Sequence, residues 1–145
     1  MSDKKFPYSG FSSVAIHGGH EQDPNYAHLT PIYASSTYVF DEAAQGMRRF
    51  SGEEKGYIYG RWGNPTITEA EEKIAALESF GIADEHGNAL KLKAILHASG
   101  MAAISTAILT FLQAGDHIIF SFDLYGGTFK FAHEELPKRG IECSL

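Results

Sequence analysis

Tyr59 and Arg61 are the two side chains in this sequence best suited to binding a phosphate together. They lie two positions apart, so an extended backbone would point both to the same side. A phenol hydroxyl and a planar guanidinium fork on one side form a good pair of donors for phosphate oxygens. Tyr and Arg also alternate on ordinary edge strands, so the pair alone leaves a plain structural role open.

A second phosphate-type element follows at Ser99-Gly100-Met101. The apolar run 92–98 predicts a buried strand, and the pattern after it predicts a helix over 100–112. A strand that turns through Gly into a helix presents free backbone N–H groups and the positive end of the helix dipole, which bind phosphate. The alternative is an ordinary turn in which Ser99 serves only as the N-cap.

Tyr125 lies in a third element, Leu124-Tyr125-Gly126-Gly127-Thr128, directly after a predicted strand over 117–121. Open α/β sheets bind their ligands at the carboxyl ends of parallel strands. The adjacent glycines would let a flat ring approach Tyr125 closely. The alternative is a turn whose Tyr packs on the edge of the sheet.

These elements and five further motifs together resemble the cysteine/methionine-metabolism (trans-sulfuration) family of pyridoxal phosphate enzymes. That family includes cystathionine γ-synthase, cystathionine γ-lyase, methionine γ-lyase and the O-acyl-homoserine sulfhydrylases. No single motif is decisive, but eight in the right order from about Phe11 to the last residue are specific. In chain order they are His17-Gly18-Gly19, Thr30-Pro31-Ile32-Tyr33, Thr37-Tyr38-Val39-Phe40, Tyr59-Gly60-Arg61, Asn64-Pro65-Thr66, Ser99-Gly100-Met101-Ala102-Ala103-Ile104, Gly115-Asp116 and Leu124-Tyr125-Gly126-Gly127-Thr128.

The resemblance implies pyridoxal 5'-phosphate as cofactor and an α/β architecture of the fold-type I class. Tyr59 and Arg61 resemble the pair that reaches across a dimer interface to the cofactor phosphate of the neighbouring subunit. Ser99, Gly100 and Met101 resemble the group that binds the phosphate in their own subunit. The family also implies a homo-oligomer, a dimer of dimers, acting on a small amino-acid substrate.

The resemblance implies γ-elimination or γ-replacement on cystathionine, methionine or an O-acyl-homoserine. Tyr125 resembles the aromatic residue that stacks on the pyridine ring and acts as acid and base. Methionine γ-lyases commonly carry Cys at the position of Gly127, which lowers the expectation of that subtype. The alternative function is a non-catalytic piece that only interacts with a partner chain.

We expect the sequence to be the N-terminal part of such an enzyme, because the family's chains run to several hundred residues. The resemblance places the cofactor-binding lysine and the arginine for the substrate carboxylate further on. The chain also stops at Leu145, inside a strand predicted to begin at 141. We therefore expect it to need the remainder of the polypeptide or a complementing chain, and to be neither active nor stably folded alone.

Two regions are predicted. Residues 1–60 are rich in Gly, Ser, Pro and Tyr and form an extended arm, with a helix over 41–50 capped by Asp41 and a mobile charged loop over 52–55. Residues 61–145 form the first part of the cofactor domain, with successive β-α units and a parallel sheet. Asn64 and Pro65 open its first helix, which ends at Gly81. The polar segment 83–89 resembles an insertion and has no functional account.

Composition restricts the classes of partner. The net charge of −6 and the lack of a basic cluster argue against nucleic acid. No apolar run is long enough to span a bilayer, and the N-terminus is no signal peptide. The one cysteine, Cys143, suits a reducing, cytoplasmic compartment and a packing role. His17 and His20 lack a third clustered ligand, so we expect no metal.

Overall fold

The structure, a computed structural model, describes residues 10–20 and 23–145. The described part of the chain folds into two compact units, which meet in the sequence between Ile95 and Leu96. The inference about a signal peptide concerns residues outside the described ranges. The predicted boundary between arm and cofactor domain at residue 60 stays a prediction.

The first unit contains three helices, α1 (Phe11–His17), α2 (Ala43–Ser51) and α3 (Pro65–Glu78). Sequence analysis missed α1, because seven residues are too few to show a helical period. The predicted α2 is confirmed, but its N-cap position is Glu42 and not Asp41. Asp41 instead pairs with the Gln45 side chain, which accepts from its backbone N–H at 2.8 Å and donates to its carboxylate at 3.3 Å.

Helix α3 begins as the sequence predicts. The Asn64 side chain accepts a hydrogen bond from the Thr66 N–H at 2.9 Å, and Pro65 is the first helical residue. The helix ends at Glu78, a little before Gly81, which has a φ of +73°. Helix α1 packs against α3.

Gly19 lets the segment after α1 lie directly on the backbone of α3. A Cβ at this position would lie 2.6 Å from both the Glu69 carbonyl oxygen and the Lys73 nitrogen. Real Cβ atoms do not approach backbone so closely, and the φ of Gly19 is +74°. The glycine of the His17-Gly18-Gly19 motif therefore has a packing role in this unit.

The second unit alternates helices and strands in the order α4 (Gly100–Phe111), β1 (His117–Ile119), α5 (Gly126–Lys130) and β2 (Glu142–Ser144). Helix α5 continues through one π-helical turn (Phe131–Glu135) and one 3-10 turn (Pro137–Arg139). Strands β1 and β2 pair in parallel, with His117 opposite Glu142 and Ile119 opposite Ser144. The predicted parallel pairing across a helical crossover is confirmed.

The core of the second unit lies under this crossover. Leu136 and Ile141 are almost completely buried, as is Ala132. The Cys143 thiol is half-buried in β2 and donates to the Ala132 carbonyl at 3.2 Å, in keeping with a packing role. Around this small core the apolar surface is extensive, since Phe111, Phe122 and other large side chains remain exposed.

The strand predicted over 92–98 is not formed. The segment pairs with no strand in the described part of the chain, and Ile95 is 75% exposed. An apolar run becomes a strand only where a neighbouring strand satisfies its backbone groups, so the prediction is wrong for the chain as it stands. None of the described helices has the length and apolar character needed to cross a membrane.

Candidate functional site

Tyr59 and Arg61 lie side by side in the first unit. The guanidinium carbon of Arg61 lies 5.2 Å from the centroid of the Tyr59 ring, a cation–π contact. The extended backbone continues only to Tyr59, since Trp62 and Gly63 donate to the Tyr59 carbonyl at 2.8 and 3.2 Å and close a turn. The predicted extended geometry is therefore wrong at Arg61, but stacking brings both groups to one exposed surface.

A cleft of about 370 Å³ opens beside this pair. Its wall includes Phe50 of α2 and Trp62, whose rings meet edge to face with centroids 5.4 Å apart. The remaining lining residues are Thr37, Tyr38, Phe40, Ile58, Tyr59 and Arg61. The cleft thus presents one cation and several aromatic faces, a setting in which an anionic ring compound could be held.

The backbone of Tyr59 is fixed by an antiparallel contact with another motif. Thr37 and Tyr59 form a β-bridge. The Tyr38 N–H donates to the Ile58 carbonyl at 3.2 Å, and the Gly60 N–H donates to the Ser36 carbonyl at 2.7 Å. Two motifs that the sequence separates by some twenty residues therefore lie on one short ribbon.

Glu54, within the charged loop over 52–55, is held by a cluster of hydrogen bonds, while the mobility of the loop as a whole stays a prediction. The Glu54 carboxylate accepts from Arg48 Nε at 3.0 Å and Arg49 Nε at 3.1 Å, and from Gln45 Nε2 at 3.1 Å. The hydrogen bond from Arg48, followed by those from Arg49 and Gln45, lowers the pKa of Glu54 below its ordinary value. Sequence reasoning missed Glu54 because a charged run alone does not show which charge meets a partner.

A further set of contacts joins two other motifs. Asn64 Nδ2 donates to the Tyr33 carbonyl at 2.8 Å, and the Tyr33 N–H donates to Thr66 Oγ1 at 2.9 Å. Thr66 Oγ1 in turn donates to the Pro31 carbonyl at 3.2 Å. Asn64 is buried, so these bonds fix where the segment after Arg61 enters helix α3.

Three tyrosines, Tyr33, Tyr38 and Tyr57, line a neighbouring cavity of about 320 Å³. The Tyr38 hydroxyl oxygen is shielded and has no hydrogen-bond partner in the described part of the chain. Burial foremost, and then the nearby Tyr57 and Tyr33, raises the pKa of Tyr38 above its ordinary value. Tyr38 is therefore a neutral phenol at physiological pH.

In the second unit, Ser99 is the N-cap of α4. Its Oγ accepts from the Ala102 N–H at 3.1 Å, which confirms the capping role. The N–H groups of Gly100 and Met101 have no acceptor among residues 10–20 and 23–145. The space beside Gly100 is open, because a Cβ there would meet nothing within 4 Å. Capping by Ser99 and anion binding by the two free N–H groups are thus compatible.

Tyr125 lies at the start of α5 and is 75% exposed. The ring leans over Gly127, where a Cβ would lie 2.7 Å from Tyr125 Cε1 and 3.3 Å from Met101 Sδ. Thr128 Oγ1 also lies 3.5 Å from Met101 Sδ. The second and third sequence elements therefore meet, and a candidate stacking ring lies beside a helix terminus with two free donors.

His20, which follows the His17-Gly18-Gly19 motif, contacts a hydroxyl and a carboxylate. His20 Nδ1 lies 3.2 Å from Thr30 Oγ1 and 3.6 Å from a Glu69 carboxylate oxygen. Within the ranges that the structure describes, no three metal-binding side chains gather at one point.

Comparison with known proteins identifies relatives over almost the whole chain. Residues 12–145 match the family described as Cys/Met metabolism PLP-dependent enzymes, where PLP is pyridoxal phosphate. An L-methionine γ-lyase of Porphyromonas gingivalis is 48% identical over 145 residues, all of this chain and 34% of that protein. The chain thus spans about a third of the length of the curated relatives it matches.

Solved structures of similar proteins share the fold. One is described as an O-acetylhomoserine (thiol)-lyase of Campylobacter jejuni, with a pyridoxyl-lysine monophosphate. Its TM-score is 0.76 at 30% identity, over 92% of this chain and 30% of that one. A cystathionine γ-lyase of Lactobacillus plantarum in complex with L-serine has a TM-score of 0.71 at 35% identity, over 93% of this chain and 30% of that one. The predicted fold-type I class is confirmed.

Proposed function

The chain belongs to the family of Cys/Met metabolism pyridoxal phosphate-dependent enzymes, and from that premise we propose that it supplies the phosphate-binding elements of a trans-sulfuration enzyme. The family confirms the predicted cofactor class. What remains a proposal is the role of each residue, the reaction and the substrate.

The contact between Met101 and the start of α5 carries this proposal. It brings the two free N–H groups of α4 and the Tyr125 ring into one small region of the second unit. Free N–H groups at a helix N-terminus favour a dianionic phosphate, and an exposed aromatic ring favours a flat heterocycle. The donor set present therefore fits pyridoxal phosphate, with Gly100 and Met101 holding the phosphate and Tyr125 facing the ring.

Tyr59 and Arg61 form the second phosphate-binding element of the proposal. Their stacked, exposed arrangement leaves the hydroxyl and the outer guanidinium nitrogens available to an anion. We assign this pair to the cofactor phosphate of a neighbouring subunit. Such an assignment makes the site complete only in an oligomer, and the exposed apolar residues Phe50 and Trp62 beside the pair support an interface there.

When bound, the cofactor supplies an electron sink for carbanions that develop on an amino-acid substrate. The residues of this chain orient it and move protons. Tyr125 faces the ring and, through its hydroxyl, exchanges a proton with the reacting substrate. Gly100 and Met101 would hold the phosphate of their own subunit, and Tyr59 and Arg61 would hold that of the neighbouring subunit, so that each ring is kept in one orientation.

For the reaction, we propose γ-elimination or γ-replacement on L-methionine, cystathionine or an O-acyl-homoserine. The relative with 48% identity over the whole chain is named an L-methionine γ-lyase, so L-methionine is the first substrate to test. Gly127 stands where methionine γ-lyases commonly carry cysteine, which argues against methionine elimination. We give more weight to the 48% sequence identity over the whole chain than to this single position. The relatives support the enzyme and not the alternative of a non-catalytic interaction piece.

Cellular setting and assembly are part of the same proposal. We propose the cytoplasm as the compartment, because the single cysteine is a free thiol in contact with a backbone carbonyl. We propose a homo-oligomer, a dimer of dimers, because the pair Tyr59 and Arg61 is assigned to a neighbouring subunit.

The test uses the protein as its gene encodes it. The purified protein is titrated with pyridoxal phosphate and then supplied with L-methionine, with cystathionine, or with O-acetylhomoserine plus added sulfide. Released keto acid and thiol measure elimination, and released acetate together with newly formed homocysteine measures replacement. We expect tight cofactor binding and turnover of at least one substrate. A protein that neither binds the cofactor nor turns over any of the three would overturn the proposal.

A further inference from the structure

The geometry points to Glu54 as a positioning residue that, through Arg49, sets the place of the Tyr59–Arg61 pair. This inference rests on the proposed function in one respect only, namely that Tyr59 and Arg61 bind a phosphate. The positioning itself concerns residues of the first unit and is measured separately.

Glu54 is the shared acceptor of two adjacent arginines on the last turn of α2. Arg48 Nε donates to one carboxylate oxygen at 3.0 Å, and Arg49 Nε donates to the other at 3.1 Å. The Arg49 side chain is 20% exposed, whereas that of Arg48 is 42% exposed. The Glu54–Arg49 contact is thus the better shielded one, and solvent weakens it less.

Arg49 passes this restraint to the backbone before Tyr59. Its Nη1 donates to the Tyr57 carbonyl at 3.4 Å, and its guanidinium lies over the Phe40 ring at 5.7 Å. A Cβ at Gly56 would lie 2.5 Å from Arg49 Nε, so the absent side chain lets the backbone pass along the guanidinium. The carboxylate of Glu54 therefore fixes Arg49, and Arg49 fixes the segment 56–57.

The segment 58–60 is then held by contacts on both sides of it in the sequence. Its hydrogen bonds run to the opposite strand, from the Tyr38 N–H to Ile58 and from the Gly60 N–H to Ser36. The aromatic contact between Phe50 and Trp62 ties the far end of the turn to α2. One helix thus holds the segment before and after Tyr59 and Arg61, and the Glu54 cluster is its polar attachment.

Hydrogen exchange provides a direct measurement, because the Tyr38 and Gly60 amides report whether the ribbon stays closed. We expect Glu54→Gln in the gene-encoded protein to speed exchange in peptides that contain these amides by roughly tenfold. The matched control is Glu53→Gln, the same change at an exposed neighbour with no hydrogen bond or ion pair among the described residues. It should leave exchange at the wild-type rate.

A second pair of variants tests the route through Arg49 and keeps the charge. Arg49→Lys loses the fork that bridges Glu54 and the Tyr57 carbonyl, so it should reproduce the faster exchange. Arg48→Lys is the control, because Arg48 binds Glu54 but makes no hydrogen bond to Tyr57. Equal exchange rates in both lysine variants would remove Arg49 from the route.

Cofactor retention separates this inference from the proposed function. If Glu54 positions the pair for a phosphate, Glu54→Gln should also weaken pyridoxal phosphate binding, though less than Arg61→Ala. Suppose that Glu54→Gln speeds exchange, but that Glu54→Gln and Arg61→Ala both bind the cofactor as the wild type does. The positioning role of Glu54 would then stand, and the phosphate role of the pair would be refuted. Wild-type exchange in both Glu54→Gln and Arg49→Lys would overturn the inference itself.

Discussion

The two units place their candidate phosphate donors in different ways. The first unit uses side chains, Tyr59 and Arg61, on a turn held by an ion-pair cluster and a short ribbon. The second unit uses backbone N–H groups of Gly100 and Met101 at the start of a helix. A backbone donor is fixed as soon as its helix forms, whereas a side-chain donor needs neighbours to hold it.

This difference has a consequence for mutation. Every residue except proline keeps its N–H at positions 100 and 101, so single substitutions other than to proline leave the donors in place. Replacement of Arg61 removes its donors outright. The first unit should therefore be the part in which single side chains control phosphate affinity, and the second unit the part in which they control the placement of the ring.

The largest effect is expected at Tyr125. Tyr125→Phe keeps the ring but removes the hydroxyl, so kcat should fall by about 10²-fold or more while the cofactor stays bound, the scale for a lost acid–base group. Steady-state kinetics and cofactor quantitation on the same sample check this. An unchanged kcat would leave stacking as its only role and would weaken the assignment of proton transfer to the second unit.

Arg61→Ala should weaken cofactor retention by roughly 1.5–3 kcal/mol, the range for a hydrogen bond to a charged group. Dialysis followed by measurement of bound pyridoxal phosphate gives the result. Arg139→Ala is the matched control, because Arg139 pairs with Glu135 in the second unit, outside the candidate site. Wild-type retention in Arg61→Ala would remove Arg61 from the phosphate-binding site.

Gly127→Ala should lower kcat by roughly tenfold, because the new methyl group would displace the Tyr125 ring from its place beside Met101. The melting temperature should change little, since the exposed ring can swing away. Gly126→Ala is the control, because a Cβ there meets nothing within 4 Å. Equal kcat values for Gly127→Ala and Gly126→Ala would mean that the position of the Tyr125 ring does not affect the reaction rate.

The smallest effect is expected at the helix cap Ser99. Ser99→Ala should cost about 1 kcal/mol of unfolding free energy, the usual value for an N-cap. Asn64→Ala should cost more, about 2 kcal/mol, because the buried Asn64 also donates to the Tyr33 carbonyl. Denaturant unfolding measures both. A larger loss of unfolding free energy in Ser99→Ala than in Asn64→Ala would mean that the bond from Asn64 to the Tyr33 carbonyl adds no stability.

Several elements could be read from the sequence because their signals are local. Asn64 and Pro65 open α3 as predicted, since a cap and a proline act within one turn. Ser99 caps α4 for the same reason. The strand over 92–98 failed because its apolar pattern requires a partner strand, which no local signal supplies. Arg61 lies in a turn because the Trp62 and Gly63 N–H groups donate to the Tyr59 carbonyl, and the alternation of side chains in the sequence does not show these bonds.

The sequence by itself determined the order of the motifs, the helix caps and the family, because each of these depends on residue type and short spacing. Tertiary structure alone decided that Glu54 holds the segment before Tyr59, that Arg61 stacks on Tyr59, and that Tyr125 lies beside Met101. These contacts join residues from different elements, and their geometry depends on the folded path of the chain. A charged run such as 52–55 shows that ion pairs are possible, but only the fold determines that Glu54 pairs with Arg48 and Arg49.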